Sequence, residues 1–221
     1  GKSYLSVKDN GWVSISNIPI DSEMRTQTLL VLGNEKSDVR AAAINTLSSH
    51  FDQNENVPSR SHTKLYTKMS ADPSYIVAGD ALKALAFVDA DTAYDLCIKE
   101  VPTAKKELRE AIFYVISKKG DLADTFLIQN EFNKATGFDI ISASYNLLNF
   151  MKAQKPEVYQ KSLQSIFRKF QALELWYHRY YALYMLQEYL NEGEGEFKLE
   201  VEKIFKQLIT EEKEPKVLQY L

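Results

Sequence analysis

From about Asp21 to the end of the chain, apolar residues return every three or four positions rather than every second one. Four segments carry one stripe, with apolar side chains at i, i+4, i+7, i+8 and i+11. They are Val77, Ala81, Ala84, Leu85, Val88; Leu108, Ile112, Val115, Ile116, Lys119, whose last position is polar; Tyr159, Leu163, Ile166, Phe167, Phe170; and Phe197, Val201, Ile204, Phe205, Leu208. At 3.6 residues per turn each set falls on one helical face and requires a partner surface to cover it, whereas a strand would alternate. The punctuation agrees. Asp72-Pro73 places a carboxylate and a proline at a helix start, Thr103 precedes the second stripe, Lys118-Lys119-Gly120 closes it, Pro156 opens another helix, and Gly193-Glu194-Gly195 separates the last two. The pattern predicts roughly ten helices of about 10–18 residues, joined by short loops that force neighbours to lie antiparallel.

Residues 1–20 read differently. Tyr4, Leu5 and Val7 precede Lys8-Asp9-Asn10-Gly11, and Trp12, Val13 and Ile15 follow it. An Asn-Gly pair between short apolar runs predicts a β-hairpin, or else an extended linker, since a lone hairpin is marginal. The stretch from Asp52 to Ser61 reads as a surface loop. The expected organisation is a hairpin or linker over 1–20 and one continuous helical array over 21–221.

Two segments look like variants of one unit. Ser37-Asp38-Val39-Arg40-Ala41-Ala42-Ala43-Ile44 leads to Leu47, and Ala71-Asp72-Pro73-Ser74-Tyr75-Ile76-Val77 leads through Ala81 to Leu85. Their aspartates stand 34 positions apart, within the range of helical-hairpin repeats. The Asp-Val-Arg…Ala…Leu form resembles the second helix of HEAT-type repeats, and Trp176-Tyr177-His178-Arg179-Tyr180-Tyr181-Ala182-Leu183 resembles its Trp-x-Val-Arg-x-Ala-Ala version. The expected fold is all-α, an α-solenoid of antiparallel helix pairs of the HEAT or armadillo kind.

Composition narrows the function classes. Apolar residues make up 45% and charged residues 26%, and the formal net charge is −3. An acidic balance without basic clusters in the repeats argues against nucleic acid as a partner, a HEAT-like DNA glycosylase included, because phosphate recognition needs a basic face. Cys97 is the single cysteine, which rules out an internal disulfide and a thiolate zinc cluster. No apolar run reaches the roughly 20 residues that cross a bilayer. Gly1 in place of Met reads as a cloning remnant on a piece of something longer, so localisation signals would be missing.

No catalytic or metal-binding constellation stands out. His50, His62 and His178 lack ligand spacing, and His62 reads as a surface residue. Cys97 lies between Leu96 and Ile98 with acidic neighbours, which suits a packed thiol rather than a nucleophile. Glu192, Glu194, Glu196, Glu200, Glu211, Glu212 and Glu214 read as solvated charge rather than a calcium loop. The densest aromatic cluster is Trp176, Tyr177, His178, Arg179, Tyr180, Tyr181 and Tyr184. One reading makes Trp176, Tyr177, His178 and Arg179 a substrate or interdomain contact on a concave wall, with Arg179 meeting a peptide carboxylate. The other packs the rings between helices and pairs Arg179 with a neighbour, and aromatics at helical spacing favour this second reading.

The order of the pieces carries a more specific likeness. Asp72-Pro73-Ser74-Tyr75-Ile76-Val77, Ala81-Leu82-Lys83-Ala84-Leu85, the Leu108–Gly120 helix with Asp121, Gly137-Phe138-Asp139 and the Trp176 helix, over about residues 35–190, resemble the C-terminal helical domain of bacterial aminopeptidase N-like zinc metallopeptidases. That resemblance implies a noncatalytic domain that closes the active-site chamber and shapes peptide access. Its partners would be its own catalytic domain and the peptide substrate, in a cytoplasmic or periplasmic parent. Zinc would belong to that catalytic domain, with its His-Glu-x-x-His helix and Gly-x-Met-Glu-Asn loop, and neither motif occurs here. No cofactor is expected in this chain. The alternative is a stand-alone helical scaffold for a protein partner.

Overall fold

The computed structural model describes residues 22–48, 60–101, 104, 106–152, 154, 156–192 and 195–220. The hairpin expected over 1–20 lies outside them, as do Thr103 and nearly all of the loop expected from Asp52. Among the described residues there are twelve α-helices and no strand: α1 Ser22–Val31, α2 Ser37–Leu47, α3 Arg60–Met69, α4 Tyr75–Val88, α5 Ala90–Glu100, α6 Lys106–Lys119, α7 Thr125–Lys134, α8 Asp139–Met151, α9 Pro156–Gln171, α10 Trp176–Glu192, α11 Gly195–Glu211 and α12 Pro215–Tyr220. The count exceeds ten partly because α12 is six residues long, too short for a periodic stripe to register.

The helices form a helical-repeat array. The even-numbered ones stack in chain order, α2 on α4, α4 on α6, α6 on α8, α8 on α10 and α10 on α12, while α1, α3, α5 and α7 each pack on the helix that follows. The stripes read from the sequence are the faces that close this arrangement. Ile44 and Leu47 of α2, Leu82 and Leu85 of α4, Ile112 and Ile116 of α6, and Leu147, Leu148 and Met151 of α8 make one continuous buried seam. Small residues let the backbones approach: Ala78, Gly79, Ala81 and Ala84 of α4 are all buried. No helix among the described residues is long and apolar enough to cross a membrane.

The connections are fixed by hydrogen bonds as well as by packing. Asp89 caps α5 by accepting from the Thr92 N–H. Between α6 and α7, a 3-10 turn at Leu122–Asp124 is closed by a reciprocal capping box, in which the Asp121 N–H donates to Asp124 Oδ2 at 3.0 Å and the Ala123 N–H donates to Asp121 Oδ1 at 2.7 Å. Tyr94 of α5 donates its hydroxyl to the same Asp124 oxygen at 2.7 Å, tying the outer helix to the turn. Gly137 takes a φ of +56° just before α8, where an L side chain would be strained. One expectation shifts here. Pro73 precedes α4 rather than occupying its first turn, because Ser74 is the N-cap and Asp72 accepts from the Ser74 N–H instead.

Gly120 terminates α6 by close approach rather than by unusual backbone geometry. A Cβ there would sit 2.6 Å from the Ile116 carbonyl oxygen and 2.8 Å from Asp124 Oδ2. Gly120→Ala is therefore expected to destabilise the fold by roughly 1–3 kcal/mol, the scale of an overpacked site. Gly33→Ala, which meets only the Leu30 carbonyl at 3.7 Å, should stay within about 0.5 kcal/mol of the parent in the same denaturant melt.

Candidate functional site

The even-helix face is held in place by arginines at one recurring position. Arg40, Arg109 and Arg179 are each the fourth residue of their helix, 69 and 70 positions apart, one on every second repeat. Arg40 donates to the Asn34 and Glu35 carbonyls at 2.8 and 2.9 Å and grips Asp72, 32 residues on, at 2.8 and 3.0 Å. Arg179 repeats this. It donates to the Leu173 and Glu174 carbonyls and to Glu212, 33 residues on, at 2.9 Å. In both cases the acid lies in the connection leading to the next even helix, so the guanidinium staples one repeat to the following one. Arg109 varies the theme by forking onto Glu131 of α7 while lying 5.1 Å from the Phe113 ring centroid.

The acids answer this geometry. Burial pushes the Asp72 carboxyl up, but the Arg40 hydrogen bond, the Ser74 N–H and the Arg40 charge outweigh it, and the group sits below the usual carboxylate range. Glu212 behaves alike. Burial raises it, and Arg179 with the Glu214 and Lys213 N–H groups brings it below its ordinary value. The Glu212 side chain is only 6% exposed, so it does not belong to the solvated acidic end expected from the sequence. The repeat equivalence also changes. Asp38 is exposed on the first turn of α2, whereas Asp72 precedes α4, so it is Arg40 and Arg179 that correspond, not the two aspartates.

The aromatic cluster divides in two. Trp176 and Tyr177 open α10 and are 36% and 40% exposed, with the Lys216 ammonium 5.4 Å from the Trp176 ring centroid. His178 is half-buried, edge-on to Tyr177 at 4.5 Å and to Phe138 at 5.7 Å. Arg179 is committed to the staple, so its guanidinium is not offered to a peptide carboxylate. Tyr181 and Tyr184 are exposed along the outward face of α10.

Two features escaped the sequence. His62 is buried, not on the surface. It sits edge-on to Tyr66 at 5.7 Å and accepts from the Arg25 guanidinium at Nε2, 2.9 Å away, because positions 62, 66 and 69 form the inward stripe of α3. The second is a cleft of about 260 Å³ between α6, α8 and α10, lined by Glu110, Tyr114, Ile141, Ser142, Tyr145, Asn146 and Met185. The Lys118 ammonium lies 5.6 and 6.0 Å from the Tyr114 and Tyr145 ring centroids. Burial, then the neighbouring Tyr145, raises the Tyr114 hydroxyl above its ordinary pKa, so it stays a neutral donor at physiological pH. Polar residues spread over two helices, with Met185 added from a third, leave no contiguous motif.

Cys97 is enclosed in the core, and burial followed by the Glu100 charge pushes its thiol up to about 12. Among the described residues no three histidine, cysteine or acidic side chains gather as a metal-binding group.

The staple makes a pH prediction. At neutral pH Arg179→Met should lower stability by roughly 2 kcal/mol, the scale of charge-assisted hydrogen bonds. Glu212 is depressed in the folded state, so its contribution is full above the ordinary carboxyl value of about 4 and is lost as pH falls through the folded value. Denaturant melts at stepped pH should show the gap between parent and variant narrowing below about pH 4, and a gap unchanged down to about pH 2 would contradict the staple.

Set beside known proteins, the chain matches no family model, no curated protein and no solved structure.

Proposed function

We propose that this chain is a noncatalytic helical-repeat domain of a zinc-dependent aminopeptidase, closing the peptide chamber of a catalytic domain carried elsewhere in the same polypeptide. The observation that carries the reading is an apolar edge. The N-terminal ends of the stacked helices α4, α8 and α10 expose Tyr75 and Ile76, Phe138, and Leu175, Trp176 and Tyr177. Large apolar side chains grouped along one edge are what a docking domain would cover. The same ends hold the segments whose order resembles the aminopeptidase domain: Asp72-Pro73-Ser74-Tyr75, Gly137-Phe138-Asp139 and the Trp176 helix. On this reading Trp176 and Tyr177 are interdomain contacts, Arg179 positions them, and zinc belongs to the missing catalytic domain.

A second reading, a stand-alone scaffold for a protein partner, is favoured by Tyr181 and Tyr184, which stand exposed farther along α10 than the edge. The two separate cleanly. Sequencing the reading frame upstream should reveal a His-Glu-x-x-His codon run in the same frame, and a frame that opens at this chain would overturn the peptidase reading in favour of the scaffold. The isolated chain with added zinc should leave an aminoacyl-chromogenic substrate intact. Zinc-dependent turnover by the chain alone would overturn both readings.

A further inference from the structure

We draw no further inference here: the strongest candidate, the exposed tyrosine face of α10 formed by Tyr177, Tyr181 and Tyr184, carries nothing, because nothing in the structure shows what covers it.

Discussion

From α2 to α11 each described helix buries apolar residues, most of them against two or more neighbours, and burying those faces is the constraint from which the architecture follows. A stripe spanning a third of the helix surface has to be shared between two or more partners. The even-numbered helices meet that need by stacking on one another, with Ile44 and Leu47, Leu82 and Leu85, and Ile112 and Ile116 buried from one repeat to the next. The odd-numbered helices close the seam from the other side. α8 shows the limit, since nine of its thirteen residues are buried. A stack of this kind has no face-to-face core that closes on itself. It leaves large side chains of the even helices exposed, among them Tyr75, Ile76, Tyr181 and Tyr184.

Packing alone sets the distance between repeats but leaves their angle loosely defined. The arginine staples supply direction. Arg40 and Arg179 each tie the carbonyls just before their own helix to an acid in the next connection, so three segments of chain converge on one planar group. The Tyr94–Asp124 bond and the Asp121 capping box perform a similar task around the α6–α7 turn. The result is a row of helices held rigidly enough that side chains from α6, α8 and α10 can form one cleft.

Much of this was legible in the residues. The stripes at 77–88, 108–119, 159–170 and 197–208 named the buried faces correctly, because helical periodicity reports directly which side must be covered. The likeness between the Asp38-Val39-Arg40 and Trp176…Arg179 helices pointed at the staple, although pairing the two aspartates obscured it. What stayed hidden depended on tertiary placement. His62 looked exposed because polar residues surround it in sequence, yet positions 62, 66 and 69 face inward together. Glu212 looked like one acid among many until Arg179 closed over it.

The central claim is that the even-helix stack is held by local ties between successive repeats. Native-state hydrogen exchange on the Arg179→Met chain tests it most directly, because a nearest-neighbour array should respond where it is cut. Protection should fall in α10 and α12 and along the α10 wall of the cleft, while α2 and α4 keep the values of the parent chain. An equal loss of protection in every helix would contradict the account, as would no loss at all.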